Sequence, residues 1–259
     1  MGRLGGCTAG RVSEPHCAGP RTASPASRCS GASGAALDMM FDGMVDGRLW
    51  ARHIAVEGPI GVGKTSLVDR LARRFEGVKI LEDVENPFLD AFYRGRAGAA
   101  FQVQIFFLLS RYQQHVDIMQ PELFTRLVVA DYCMPKDRIF AQLNLADEEL
   151  RLYERLYNLL VGRLPRPDLV IYLEGRIETC MKRIKMRGRE FERGMDPDYL
   201  RRLKEAYNAF FFRYNESPLL VVNTDDIDFV NRSEDFDNLV EQIARIRHGT
   251  HVYVPLGSG

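Results

Sequence analysis

The sequence has no surplus of charge: its 259 residues carry 35 Lys+Arg against 35 Asp+Glu. A duplex nucleic-acid binder held by bulk charge is therefore not expected, because no basic excess exists to displace counterions. Cysteine is scarce and poorly arranged for pairing. Cys7, Cys17, Cys29, Cys133 and Cys180 are odd in number, widely spaced and without a CxxC pair. A disulfide framework and a zinc site are not expected from that pattern, and a reducing, cytoplasmic setting is. No apolar run approaches the roughly 20 residues that cross a bilayer, so a soluble chain with no membrane partner is expected. An apolar h-region is also missing, which argues against a secretory signal. What the chain does have is apolar material, 46% of its residues, enough to exclude wholesale disorder and to build one domain-sized core.

That material is unevenly spread. Residues 1 to about 48 are rich in Gly, Ala, Ser and Arg, and carry one acidic side chain, Glu14, up to residue 37. No apolar periodicity runs through Arg3, Arg11, Arg21 and Arg28, so a disordered extension is expected. A transit peptide, a flexible tail and a start at Met39, Met40 or Met44 are the readings of it. From Arg52 onward, short apolar runs alternate with helical patterns. Strands are predicted at His53–Val56, Val78–Leu81, Arg126–Ala130, Leu169–Leu173 and Leu219–Val222. Helices are predicted at Thr65–Phe75, Ala100–Met119, Asp147–Leu164, Ile177–Met186, Pro197–Asn215 and Ser233–Arg247. This alternation implies an α/β domain over residues 49–248, with a parallel sheet of about five strands covered on both faces. Residues 249–259 read as a C-terminal tail.

The most specific signal is Gly58-Pro59-Ile60-Gly61-Val62-Gly63-Lys64-Thr65. It matches GxxxxGK[ST], follows a predicted strand and opens a predicted helix, the context in which a P-loop holds a nucleoside triphosphate. Glycines let successive N–H groups turn inward onto phosphate oxygens, and the helix adds its positive end. Lys64 then reaches the β- and γ-phosphates, and the Thr65 hydroxyl is placed to ligate Mg²⁺. Ser66 is the next hydroxyl. Asp131 ends the strand Leu127–Ala130 and would emerge beside this loop, because ligands bind beyond the carboxyl ends of parallel strands. It is the second candidate for Mg²⁺.

Further motifs resemble the deoxyribonucleoside kinases, and most of all their bacterial deoxyadenosine/deoxyguanosine kinase branch. They are Glu57 with the P-loop, Glu85-Asn86-Pro87-Phe88-Leu89 with Phe92-Tyr93, Phe101-Gln102-Val103-Gln104 with Ser110-Arg111, Ala130-Asp131-Tyr132 with Ile139-Phe140-Ala141, and Arg187-Gly188-Arg189 with Glu192. The resemblance runs from about Ile54 to Ile246. It implies a P-loop kinase fold with a helical lid, ATP as co-substrate with Mg²⁺, and a homodimer built on a helix bundle. It also implies Glu82 as general base for a nucleoside 5′-hydroxyl, with Asp83 and Glu85 as neighbouring rivals. Gln104 is implied as the base-reading glutamine, completed by Arg111 and Asp137, with Gln102 as the alternative. Gln104 and Arg111 are seven residues apart, so they share a helix face ~10 Å apart along its axis. Tyr93 and Glu192 correspond to contacts to the sugar 3′-hydroxyl. Arg187 and Arg189 correspond to a lid that clamps the migrating phosphoryl group, and Arg183 shares a helix face with Arg187. The acidic run Asn223–Phe229, with Asp226 at its centre, resembles the loop that wraps the donor's adenine.

The expected function is thus transfer of the ATP γ-phosphoryl to the 5′-hydroxyl of a purine deoxynucleoside, in nucleotide salvage. Two rivals share the P-loop. A nucleoside monophosphate kinase of thymidylate kinase type would need a cationic pocket for the acceptor phosphate, which a carboxylate at Glu82 opposes. A guanine-nucleotide switch would need an [NT]KxD motif, and the sequence has none.

Overall fold

The computed structural model describes residues 44–45, 48–82, 85–118, 127–162, 164–189, 192 and 194–255. Met44–Val45 (β1) and Arg48–Leu49 (β2) pair antiparallel at the edge of the segment expected to be disordered. The main sheet begins at β3 (His53–Glu57) and adds β4 (Val78–Ile80), β5 (Val128–Ala130), β6 (Leu169–Glu174), β7 (Leu219–Asn223) and β8 (Thr250–Tyr253). Its order is β4-β5-β3-β6-β7-β8, and every pairing is parallel. The sequence reading expected about five strands and a tail over 249–259; residues 250–253 instead supply a sixth strand. Their register, Leu219↔Thr250 to Val222↔Tyr253, uses the open edge of β7.

Strands β3 and β6 are continuous apolar runs because both of their faces are covered. Ile54, Ala55, Val56, Leu169, Val170, Ile171 and Leu173 are wholly buried, as expected of a parallel sheet between two helical layers. The covering helices are α1 (Lys64–Arg74), α2 (Leu89–Tyr93), α3 (Ala99–Ile118), α4 (Lys136–Asn144), α5 (Asp147–Val161), α6 (Ile177–Arg187), α7 (Pro197–Phe211) and α8 (Ser233–Arg245). Helix α7 starts where Asp196 accepts a hydrogen bond from the Asp198 N–H at 2.9 Å and Pro197 occupies the first turn, a favourable N-terminus. Helices α3, α4 and α5 enclose a second, smaller cluster around Leu108, Met134, Ala141, Tyr153 and Tyr157.

After β3 the chain crosses to β4, returns to β5, and only then continues on the far side of β3 with β6. The order of strands reverses beside β3, and that reversal opens a crevice at the strands' carboxyl ends. The GxxxxGK[ST] turn leaves β3 at this point.

Candidate active site

The turn after β3 takes its shape from close backbone approaches that leave no room for a side chain at Gly58 or Gly61. Gly61 has φ +82°, and a Cβ there would lie 2.6 Å from the Cys180 carbonyl oxygen. Val62 points inward and is wholly buried, anchoring the loop to the core. Its carbonyl also accepts from Arg183 Nη1 at 2.7 Å, which ties α6 to the loop. The Lys64 ammonium curls back onto the carbonyls of Gly58 (2.8 Å) and Pro59 (3.2 Å). Burial, and next the charge of Lys136, push the Lys64 pKa down to about 8; an anion in the loop would act in the opposite direction and favour the charged amine.

Beside the loop, Thr65 Oγ1 donates to Asp131 Oδ2 at 3.0 Å, and the backbone N–H of Glu82 donates to Asp131 Oδ1 at 2.6 Å. Asp131 therefore links the P-loop helix to the exit of β4. Burial, and then the charge of Glu82, raise its pKa above the usual carboxylate value. The pair Thr65–Asp131 is a set of hard oxygen donors, which fits Mg²⁺. Among the described residues no cluster of three His, Cys, Asp or Glu could cage a metal.

The Glu82 side chain lies on the same cavity wall as Lys64. Arg111 from α3 bonds its Oε1, and Lys136 from α4 bonds its Oε2 at 2.7 Å. Burial alone would raise the Glu82 pKa, but the Lys136 and Arg111 charges outweigh it and hold the carboxyl well below its usual range. Behind Arg111 sits Asp137, wholly buried, accepting from Tyr153 OH at 3.2 Å and ion-paired to Arg111. Gln104 is 2% exposed, and its Oε1 has no hydrogen-bond partner in the protein. It faces the cavity beside Arg111, so a buried acceptor stands open to whatever fills that end. Gln102 is exposed and faces away.

The cavity holding these groups has a volume of about 1290 Å³. Its wall includes Gly58, Ile60, Gly61, Gly63, Lys64, Thr65 and Ser66 together with Glu82, Tyr93, Gln104 and Arg111. Arg187, Arg189, Glu192 and Asp226 line it too, and Phe229 of the Asp226 loop lies against Gly63. Helix α6 ends at Gly188 with φ +68°, a left-handed cap that turns the chain back over the cavity. Arg187 pairs with both carboxylate oxygens of Glu192, and Arg189 lies 3.9 Å from the same group.

Pro59 and Val62 are buried within the P-loop turn and do not line the cavity. Asp137 is likewise off the wall and acts on the cavity through Arg111. Of the rivals to Glu82, Glu85 is exposed and off the wall, and Asp83 lies outside the described residues. Lys136 escaped the sequence reading, since a lysine after a proline usually marks a solvated helix start; its side chain is 4% exposed. Glu57 directly precedes the P-loop, and its motif alone implies no separate role for it. It is wholly buried and accepts from the N–H groups of Gly58 and Cys133 and from Tyr207 OH, joining the P-loop to the chain after β5.

Residues 54–248 match the family model described as deoxynucleoside kinase. A deoxyguanosine kinase of Bacillus subtilis (strain 168) is 37% identical over 202 residues, covering 76% of this chain and 98% of the relative. A deoxyadenosine/deoxycytidine kinase of the same bacterium is 32% identical over 204 residues, covering 75% and 93%. Among solved structures, a deoxyadenosine kinase from M. mycoides with products dCMP and dCDP bound superposes with a TM-score of 0.64 at 26% identity, covering 73% of this chain and 97% of that one. With a P-loop and a half-buried carboxylate lining one cavity, and relatives matched over nearly their whole length, the chain belongs to the deoxynucleoside kinase family and is an ATP-dependent phosphotransferase acting on deoxynucleosides.

Proposed function

We propose that the acceptor is a purine deoxynucleoside, that Glu82 is the general base, and that the residues of the cavity divide between donor and acceptor as follows. The P-loop from Gly58 to Ser66 holds the triphosphate, and Lys64 leaves its loop carbonyls for the β- and γ-oxygens. Thr65 and Asp131 hold Mg²⁺. When bound, Mg²⁺ neutralises charge on the β- and γ-phosphates. Gln104 and Arg111 read the base edge, the glutamine offering an acceptor that has no partner in the protein. Tyr93 and Glu192 meet the sugar. The 5′-hydroxyl gives its proton to Glu82 as its oxygen bonds the γ-phosphorus, and the β–γ bridging oxygen departs with its electron pair on ADP. Arg187 and Arg189 stabilise the transferring group as the lid closes and excludes water. Residues around Asp226 pack on the donor's adenine.

The single observation carrying this reading is that Glu82, Lys64 and Gln104 share one cavity. Purine preference is supported by the relative that is named a deoxyguanosine kinase. The monophosphate kinase rival has less to offer, since the deep cations Arg111 and Lys136 are already paired with Glu82. A homodimer and a cytoplasmic setting belong to the same proposal; Cys133 and Cys180 are both free and buried. The test is a panel of the four deoxynucleosides with ATP, monitored for monophosphate. The two purines are expected to exceed thymidine in kcat/KM by roughly 10-fold or more, a gap of about 1.4 kcal/mol. Turnover is expected to stop on chelation and to return with Mg²⁺. Thymidine handled as well as either purine would defeat the substrate assignment.

A further inference from the structure

Glu82 is gripped from two sides, and the two cations differ in what else they hold. Arg111 has a second anion, Asp137, at its back and stacks over Phe107 with its guanidinium 4.8 Å from the ring centre. Lys136 has Glu82 as its one ion-pair partner among the described residues, and otherwise lies 5.7 Å from the ring centre of Phe140. Its ammonium is nearly sealed from water, with the side chain 4% exposed. Lys136 also lines the cavity, and the buried carboxylates of Glu57 and Asp131 feel its charge, but Glu82 is the one it touches, so leaving Oε2 would strand a nearly buried cation. Arg111 can exchange its contact, since Asp137 continues to neutralise it. Both oxygens of Glu82 are occupied in this structure, yet an acceptor hydroxyl needs one of them.

We propose that Lys136 is the positioning residue for the catalytic carboxylate: it keeps Oε2 and so presents Oε1 to the substrate hydroxyl, while Arg111 gives up Oε1 as the nucleoside enters. Arg111 lies two turns along the same helix from Gln104 and lines the same cavity, so the group that vacates Oε1 and the group placed to meet the base share one scaffold. Lys136 starts α4 directly after Pro135, and α4 packs on α3 and α7. Its ammonium is thus carried by the scaffold rather than by the lid. The inference rests on the assignment of Glu82 as the base.

The test is a double-mutant cycle of Glu82→Gln and Lys136→Met with Lys136→Arg alongside, each variant checked for thermal unfolding. Lys136→Met is expected to lower kcat roughly 10–100-fold while moving the deoxynucleoside KM less than about 3-fold, the split of an interaction that matters in the transition state. Lys136→Arg, which keeps a cation at that place, is expected to stay within about 5-fold of the parent. In the Glu82→Gln background, Lys136→Met is expected to cost nothing further, because a residue acting through another has no effect once that other is gone. Should Lys136→Met not fold, Lys136→Gln takes its place in the same cycle. A methionine variant at parental kcat, a loss confined to KM, equal damage from arginine and methionine, or losses that multiply in the double variant would each overturn the role of Lys136. Near-parental turnover of Glu82→Gln alone would instead remove the base assignment, and is read separately.

Discussion

Gly61 and Gly98 are both glycines with left-handed backbone, φ +82° and +74°, and only one is irreplaceable. A Cβ at Gly98 meets nothing within 4 Å, whereas one at Gly61 meets the Cys180 carbonyl at 2.6 Å. Gly98→Ala should therefore cost only the left-handed penalty, roughly 1–2 kcal/mol. Gly61→Ala adds a backbone clash and must push the P-loop off α6, for a loss of about 3–5 kcal/mol and of ATP affinity. Thermal unfolding with and without ATP separates the two. Equal midpoints and equal ATP-induced shifts in both variants would mean that the close approach at Gly61 does not set the loop. Legibility at this scale followed chemistry. Glycines, the P-loop lysine and the strand-end Asp131 declare themselves because their roles need those residue types at fixed offsets. Gln104 was separable from Gln102 only by helix periodicity, and the structure buries the first and exposes the second. Lys136 and Glu57 were opaque because nothing local in the sequence marks a charge that tertiary packing will seal.

The elements that were readable are those whose burial leaves a pattern. Strands β3, β5, β6 and β7 are apolar runs because they lie inside the sheet, whereas the edge strand β4 holds Val78 and Ile80 half-buried on either side of an exposed Lys79. Helices α1, α3, α5, α6, α7 and α8 are long enough to show a period, with ends within a few residues of expectation. Three elements lack such a signature. Helix α2 has five residues, too few for a repeat. Helix α4 begins with Lys136 and Asp137, both buried, so its inward stripe looks polar. Strand β8 is exposed at Thr250, His251 and Val252, and was read as tail. It nonetheless closes the β7 edge, and Tyr253 packs on the core. Ending the chain after Gly249 should cost roughly 2 kcal/mol, lowering Tm by about 4–8 °C for a domain of this size. Two strands separate β8 from β3, so turnover at 25 °C should be retained. An unchanged Tm would show that the last strand contributes nothing to stability.

At the scale of the whole molecule, exposed apolar side chains recur along two helices that pack together. On α3, Leu109 and Val116 are 52% and 37% exposed, and on α5, Leu152 and Leu159 are 49% and 80% exposed. Each pair is seven residues apart, so each forms a stripe along its helix. The two helices pack against each other, so both stripes belong to one helical layer. The inner faces of the same helices already bury Leu108, Tyr153 and Tyr157, so the stripes are surplus to the core of one chain. Apolar surface of this kind marks an interaction site, and a second copy of the chain would cover both stripes at once by pairing them across a two-fold axis. Light scattering at micromolar concentration should then report twice the 29.5 kDa chain mass. The double variant Leu152→Arg/Leu159→Arg places four like charges across that axis and should run as a monomer. Because the P-loop, Glu82 and Gln104 all belong to one chain, the monomer should still turn over substrate, with a lower Tm from the exposed α3 and α5. A parent protein that is monomeric at these concentrations would dispose of the helix-bundle dimer, and a variant that stays dimeric would move the interface to another face.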